Sequence, residues 1–393
     1  MVGSAEKRSG IFSGIVNVLF IGHKPQLLNF KPRAIIAFAA QDCPAQQKIL
    51  EADFKKIIIP ETVSGRWDEK AAEWCRSLGL NGQENDLIFL EKYPGSMLKK
   101  CPGTKYYRCC NYHVINQSFG CPLGCSYCFL NTYDNIKRKI IYSNVSDLFM
   151  ELDRAANRPL RIGTGELTDS LVFDHISGFS LLMDEYLQSR KGLPLTIEYK
   201  TKTVNTVNLP RLKIKEKIII GWSLNSRRNV ARHENGTPLI EERIKAAAEM
   251  QSAGFLIALH FDPMIYYSDW KNGYREVLDM VFTCLDPRRI AYISAGALRY
   301  APQMTEHLPA RIQADFLADM FLHPDGKMRY YKSIREEMYK LVFNEAGQHG
   351  VYCYLCMENN YMWKKISPHD TGCGSQKIKI FNGGFIHESS DCL

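Results

Sequence analysis

The chain has 393 residues, 45% of them hydrophobic and 23% charged, the balance of an ordinary globular protein, which excludes disordered, collagen-like and coiled-coil classes. Its net charge of +8, from 50 Lys+Arg against 42 Asp+Glu, permits an anionic partner such as nucleic acid without demanding one. The longest apolar stretch near the N-terminus, Ile11 to Gly22, is interrupted by Ser13 and Asn17 and falls short of the roughly 20 residues a membrane helix needs. Lys7 and Arg8 precede it, but no small-residue cleavage site stands out. A cytoplasmic protein without membrane contact is expected.

In chain order, Ala34 to Ala40 and Lys56 to Ile59 read as strands and Asp68 to Leu78 as a helix, a small α/β region over residues 1–105. Pro94-Gly95 and Pro102-Gly103 mark turns ahead of the main domain. Residues 106–300 then alternate regularly. Strand His113–Phe119 leads into a cysteine-rich loop and helix Val145–Ala156; strand Leu160–Thr164 into helix Ile176–Ser189; strand Leu195–Lys202 into a short segment, Asn205 to Leu212, that has to make the third crossover. Strand Lys217–Asn225 with helix Leu239–Ala253, strand Phe255–Pro263 with helix Gly273–Leu285, and strand Ile290–Ser294 complete the series. Alternating units of this length imply parallel strands with helices outside. About six fit, two short of a closed eight-fold barrel, so a partial (β/α)6 barrel is expected, with the chemistry at the C-terminal strand ends. Residues 301–393 form a C-terminal extension. No internal repeat or low-complexity segment is visible.

The 13 cysteines are many for an intracellular enzyme, and they cluster. Cys101, Cys109, Cys110, Cys121, Cys125 and Cys128 fall close together; Cys353, Cys356 and Cys373 form a second group. Clustered cysteines without a secretion signal read as metal ligands rather than disulfides. The sharpest pattern is Cys121-Pro-Leu-Gly-Cys125-Ser-Tyr-Cys128-Phe, a Cys-x3-Cys-x2-Cys spacing directly after the first barrel strand. Three thiolates on one short loop bind three irons of a [4Fe-4S] cubane and leave the fourth iron open to chelate a cofactor or substrate. The plainer alternatives are a structural zinc, which needs a fourth ligand such as Cys109 or Cys110, and unclustered core cysteines.

This triplet with a partial barrel resembles the radical S-adenosylmethionine superfamily. The resemblance implies that the open iron holds S-adenosylmethionine and that one electron from a reducing electron-transfer protein releases a 5′-deoxyadenosyl radical, which abstracts hydrogen. Tyr127 stands where the family carries an aromatic residue. Arg161-Ile-Gly163-Thr-Gly165-Glu166 resembles the family's Gly-Gly-Glu motif, which meets the methionyl ammonium: glycines permit close backbone approach, and a carboxylate suits an ammonium. A tight turn with a solvated Glu166 is the plainer reading. Lys202, Ser223 and Asn225, at the ends of the third and fourth strands, are expected to face the same cofactor; a Ser or Asn there is also a common helix cap.

Further segments resemble the spore photoproduct lyase family: Gly163-Thr-Gly-Glu-Leu-Thr-Asp-Ser170 with Asp174-His175, Lys200-Thr-Lys202, Trp222-Ser-Leu-Asn225 with Gly236-Thr237, His260-Phe-Asp-Pro263 with Trp270 and Gly273-Tyr274-Arg275, Leu298-Arg299-Tyr300, and Tyr354-Leu-Cys356-Met-Glu358. The resemblance runs from about residue 95 to 366 and implies hydrogen abstraction from a thymine dimer in DNA, its fragmentation, and return of a hydrogen. It makes damaged DNA the expected partner and a carbon–carbon lyase the expected class, acting as a monomer. Two departures stand out. Where the spore enzymes carry a hydrogen-returning cysteine in a Ser-Cys-Thr-Ser-Asp segment, this chain has Gly165-Glu166-Leu167-Thr168-Asp169; where they carry a tyrosine after the third cluster cysteine, it has Phe129. Phe cannot relay a hydrogen atom, so Tyr127 or a cysteine from elsewhere would have to substitute.

Other candidates are weaker. Arg299 and Tyr300 fit an anionic, stackable substrate or a structural ion pair. Arg227-Arg228, Arg232 and Arg288-Arg289 fit phosphate or solvent. His260 and Asp262 fit polar anchors in a cavity or the end of a strand. Cys353, Cys356 and Cys373 fit a second metal or buried core cysteines; Cys101, Cys109 and Cys110 fit a thiol donor at the barrel mouth or packing. Two further readings stay open: a radical enzyme acting on a peptide or small molecule, and a zinc-stabilised nucleic-acid-binding protein without catalysis.

Overall fold

The computed structural model describes residues 87–103, 107, 112–132, 139–157, 159–308 and 310–367, together with the backbone of three earlier strands. Those three are β1 (Ile15–Phe20), β2 (Ile35–Phe38) and β3 (Lys56–Ile58). Next come β4 (Leu87–Glu91), β5 (Leu98–Lys100), β6 (His113–Ile115), β7 (Ser118–Phe119) and β8 (Lys139–Tyr142). A first sheet runs in the order β1-β3-β2-β4-β8-β7. The strands expected at 34–40 and 56–59 are therefore present, whereas the helix expected at 68–78 lies outside the described residues.

From β8 the chain enters helix α1 (Val145–Ala155), β9 (Leu160–Thr164), α2 (Asp174–Ser177), α3 (Phe179–Ser189), β10 (Leu195–Thr201) and β11 (Ile218–Ser223). It continues through α4 (Arg227–His233), α5 (Ile240–Ser252), β12 (Leu256–Met264), α6 (Trp270–Cys284) and β13 (Ile290–Ala297). The second sheet, in the order β17-β13-β12-β11-β10-β9-β6-β5, is the curled partial barrel. Its six central strands are parallel and adjacent in chain order. Runs such as Ile218-Ile219-Ile220 are buried throughout, as strands covered on both faces require.

Three local expectations change. The strand expected over 113–119 breaks at Asn116-Gln117: β6 joins the barrel and β7 turns away to pair with β8. The helix expected over 176–189 is split by Gly178, whose φ of 60° is the left-handed region that glycine enters without steric cost. Asp174 then accepts bonds from the Ser180 backbone N–H (2.8 Å) and hydroxyl (2.6 Å), fixing the start of α3. The third crossover contains only short 3-10 turns at Leu209–Arg211 and Lys215–Lys217.

Beyond β13 lie β14 (Arg299–Tyr300), α7 (Ala310–Leu317), β15 (Met320–Leu322), β16 (Met328–Tyr330), α8 (Lys332–Gln348), β17 (Cys353–Leu355) and α9 (Asn360–Ile366). β17 pairs parallel to β13, with Cys353 opposite Ile293, and so extends the barrel sheet. β5 closes the other edge antiparallel to β6. Among the described residues no helix is long and apolar enough to cross a membrane.

Candidate active site

The C-terminal strand ends converge on a cavity of about 600 Å³. Gly163, Gly165, Glu166, Glu198, Lys200, His260, Asp262 and Ser294 line it from the barrel, Arg299, Lys327 and Cys356 from the C-terminal elements, and Cys101 and Phe129 from the loops. This is within the size range of small-molecule sites.

The cavity floor is a charged network centred on Glu198, which the sequence reading missed, and it includes His260, which with Asp262 lines the cavity as one of the two expected readings had it. Glu198 is 1% exposed. It accepts hydrogen bonds from the Tyr112 hydroxyl (2.6 Å) and Arg161 (3.4 Å), and pairs with His260 Nε2. The other ring nitrogen of His260 lies 2.6 Å from Ser294 Oγ. Burial opposes ionisation of Glu198, but His260, Arg161 and Tyr112 outweigh it and hold the carboxyl well below its ordinary range. Burial, with the Lys200 charge, lowers His260. Arg161 is wedged among the rings of Tyr112, Tyr292 and Tyr354 at 4.7, 4.4 and 5.6 Å, and its Nη2 also donates to the Tyr354 hydroxyl (3.1 Å). One signal for this network was in the sequence. A Glu inside the apolar run Leu195-Thr-Ile-Glu-Tyr, beside a neighbouring strand carrying Arg161, cannot be buried without a partner.

The motif glycines have specific neighbours. A Cβ on Gly163 would lie 1.7 Å from the Tyr112 hydroxyl, so its side-chain space belongs to Tyr112. Gly165 has φ of 104°, and a Cβ there would lie 2.6 Å from Ser170 Oγ and 3.1 Å from the Lys200 carbonyl. Both still line the cavity. Glu166 is half-buried beside them, and burial raises its carboxyl despite the Lys99 charge.

The cysteine loop begins at the end of β7, against β9: Gly120 N–H donates to the Leu167 carbonyl (2.9 Å) and Thr168 Oγ1 to the Gly120 carbonyl (3.2 Å). Desolvation pushes the Cys125 thiol up to about 12 and raises Cys121 and Cys128 as well. The Lys202 charge works against this at Cys125 and Cys128. Three thiols gathered on one loop near a partly buried cation fit a thiolate-bound group, because metal binding displaces the proton. Among the described residues no three His, Cys, Asp or Glu side chains form a single-ion site; a cubane asks for something different, one thiolate per iron.

Behind the loop stands a second buried network, again unforeseen, centred on Glu234 and Arg243. Glu234 accepts from the Tyr127 hydroxyl and from Arg243 (2.6 Å). Burial opposes its ionisation, but Arg243, Lys202 and Tyr127 hold its carboxyl low. Arg243 also donates to the Ser223 carbonyl (3.0 Å). Gly236 N–H donates to the Leu123 carbonyl (3.1 Å), where any Cβ would collide at 2.6 Å. Asn225 donates to the Pro263 carbonyl (3.1 Å) and accepts from Asn229 (3.1 Å) and the Tyr274 hydroxyl (2.6 Å). The Lys202 ammonium sits 5.7 Å from the Tyr127 ring centroid.

Apart from Cys121 and Cys128 on the cysteine loop and Tyr300, the expected site residues fall into two groups. Cys125, Tyr127, Lys202, Ser223 and Asn225 gather around Glu234 and Arg243, while Gly163, Gly165, Glu166 and Arg299 line the cavity. Tyr300 joins neither: its hydroxyl donates to the Phe316 carbonyl (2.8 Å). Arg299 makes a two-pronged pair with Asp262 at 2.9 and 3.3 Å. The arginines expected to fit phosphate or solvent are mostly engaged by acids: on α4, Arg227 by Glu241 and Glu276 and both Arg228 and Arg232 by Asp315, and in the turn before β13, Arg288 by Asp286.

A curled parallel half-barrel with a three-cysteine loop at its mouth defines a protein of the radical S-adenosylmethionine type. A family model described as spore photoproduct lyase matches residues 106–360. Curated spore photoproduct lyases are similar: that of Clostridium acetobutylicum is 24% identical over 241 residues, covering 59% of this chain and 71% of the relative. That of Bacillus subtilis is 25% identical over 179 residues, covering 44% and 52%. Among solved structures, a spore photoproduct lyase complexed with dinucleoside spore photoproduct shares the fold, with a TM-score of 0.61 at 18% identity, over 80% of this chain and 95% of that one. A mutant lyase with bound AdoMet and dinucleoside spore photoproduct gives 0.60 at 17%, over 81% and 95%. This chain belongs to the spore photoproduct lyase family.

Proposed function

We propose that the protein is a radical S-adenosylmethionine enzyme that repairs a DNA lesion by hydrogen abstraction, in the carbon–carbon lyase class. The observation that carries the reading is the three-thiol loop, which packs by Gly120 on Leu167 and reaches through Phe129 into a cavity whose wall includes the Gly163–Glu166 turn. Cys121, Cys125 and Cys128 hold a [4Fe-4S] cluster, one thiolate per iron. When bound, the cluster and S-adenosylmethionine supply a 5′-deoxyadenosyl radical. Gly163, Gly165 and Glu166 offer carbonyls and a carboxylate to the methionyl ammonium. The Glu234–Arg243 network holds Tyr127 behind the cysteines, and the Lys202 ammonium, drawn by the Glu234 charge, offsets thiolate charge. Val114, Leu167, Leu355, Met357 and Trp363 make much of the cavity wall apolar, which excludes water from a reactive carbon centre. Lys200, Lys327 and Arg299 supply positive charge toward a phosphodiester. Phe129, 45% exposed at the cavity edge, presents a ring on which a base can stack. Electrons come from a reducing electron-transfer protein, and the enzyme acts as a monomer.

Anaerobic reconstitution with iron and sulfide tests this. The expected result is a brown protein that forms 5′-deoxyadenosine on reduction and consumes an oligonucleotide bearing a thymine-dimer lesion. Four-thiolate zinc in anaerobically purified protein would overturn the radical assignment. Cleavage of S-adenosylmethionine without consumption of the lesion would move the substrate to a peptide or small molecule.

A further inference from the structure

A lyase that ends with a carbon radical on its product needs a hydrogen donor in the cavity. The turn after β9 has none: Gly165, Glu166, Leu167, Thr168 and Asp169 carry no thiol. Phe129 has no hydrogen to give. Tyr127 is buried, and its hydroxyl is engaged by Glu234. Among the described residues seven cysteines remain as thiols. Cys121, Cys125 and Cys128 belong to the loop, Cys284 is exposed at the end of α6, and Cys353 is buried on β17. Only Cys101 and Cys356 of this set line the cavity.

Cys356 is the better placed of the two. It follows β17, the last parallel strand, so it stands at the C-terminal edge of the barrel where the other cavity residues stand. Its backbone N–H donates to the Ala295 carbonyl of β13 (2.9 Å), which ties it to the sheet. Its Sγ lies 3.7 Å from Arg299 Nη2, and its thiol hydrogen-bonds to Asp262, the carboxylate already clamped by Arg299. The pair is 15% and 10% exposed. A half-buried sulfur fixed by a buried ion pair on a cavity wall is positioned for reaction in a way that a packing cysteine is not. Cys101, by contrast, follows the antiparallel edge strand β5.

We propose that Cys356 is the hydrogen-donating residue, with Arg299 and Asp262 as its positioning residues; the proposal rests on the lesion-repair reading above. In the step, the Cys356 S–H bond breaks homolytically, a C–H bond forms on the product radical, and a thiyl remains. A small-molecule thiol returns a hydrogen atom to the Cys356 thiyl and becomes a thiyl itself, and two such small thiyls, one from each of two turnovers, combine as a disulfide, so atoms and electrons balance. The S–H hydrogen exchanges with solvent, so the product acquires solvent hydrogen.

The test runs reconstituted protein in D2O with lesion-bearing oligonucleotide and a thiol reductant. Wild type is expected to place deuterium in the repaired product. Cys356→Ser and Cys356→Ala are expected to lose at least tenfold of that label, since an alcohol O–H bond is too strong to give up its hydrogen to a carbon radical. Cys101→Ala is expected to keep the label. Retained iron–sulfur absorbance reports that each variant folds. A second readout does not depend on turnover: iodoacetamide alkylation of Cys356, mapped by mass spectrometry, is expected to slow several-fold when lesion oligonucleotide is bound. Undiminished labelling in both Cys356 variants, loss of label with Cys101→Ala, or unchanged alkylation overturns the inference while the lesion-repair reading stands. Failure of wild type to consume the lesion overturns both.

Discussion

Removing the Glu198 carboxylate is the most direct probe of the cavity floor. Arg161 lies 3.4 Å from it, a gross attraction of about 5 kcal/mol at an effective dielectric of about 20. Both side chains are almost wholly buried, so deleting one partner leaves an uncompensated charge, at a net cost of about 3–5 kcal/mol. Glu198→Ala also strips the acceptor from Tyr112 and His260. Glu198→Gln keeps the shape and one carbonyl acceptor but loses the charge, so about 2 kcal/mol is expected, the scale of a hydrogen bond to a charged group. Urea unfolding at pH 7, followed by fluorescence, gives both values. Replacing the buried cation as well, Glu198→Ala with Arg161→Met, is expected to be milder than the two single changes added together, with about 2 kcal/mol of coupling. A Glu198→Ala protein within about 1 kcal/mol of wild type, or strict additivity in the cycle, would show that the carboxylate and guanidinium are not paired, and the derivation of the cavity floor would fail.

Gly165→Ala places a Cβ at φ 104° and 2.6 Å from Ser170 Oγ; a loss of about 1–3 kcal/mol is expected in the same unfolding assay, with an unchanged value counting against the turn geometry. Tyr127→Phe removes the donor to Glu234 and is expected to cost about 1–2 kcal/mol while iron content after reconstitution stays near wild type. Cys125→Ala is expected to lose most bound iron by elemental analysis, and full iron retention would refute its role as a ligand. Burial lowers His233 to about 4 in the folded protein, against an ordinary value near 6.5. The unfolded chain therefore binds the extra proton between these values, and stability falls as pH drops from about 6.5 toward 4, by at most about 1.4 kcal/mol per pH unit from this group. His233→Gln is expected to flatten that part of the stability–pH curve, and an unaltered slope would show that His233 titrates normally.

What was legible in the sequence follows from how far apart the interacting residues lie. The barrel strands were readable because each is a local run: Leu160–Thr164 matches its observed strand, and Leu195–Lys202 and Lys217–Asn225 differ from theirs only at the ends. The three-cysteine loop was readable because all three thiols fall within one short stretch of the chain. The His113–Phe119 run misled because polar Asn116 and Gln117 redirect the chain from one sheet to another, a choice made by tertiary pairing. Beyond the signal of a Glu inside an apolar strand, the pairings in the buried networks were not readable, since their members meet only in the folded sheet: Arg161 contacts Glu198 across 37 residues and Tyr354 across 193.

In the sequence Cys356 carried the signal of a second metal or a buried core cysteine, not of a residue on the cavity wall. Its neighbours Arg299 and Asp262 come from other parts of the chain, and β17 reaches the barrel only by pairing beside β13. The turn after β9, Gly165-Glu166-Leu167-Thr168-Asp169, carries no thiol. The folded barrel brings a thiol to the same cavity from its far edge, and a reactive hydrogen need only reach the cavity, whichever strand delivers it. A hydrogen donor of the kind proposed depends on where its atom sits rather than on which motif carries it, whereas thiols that are to share one cluster need the short spacing of Cys121, Cys125 and Cys128.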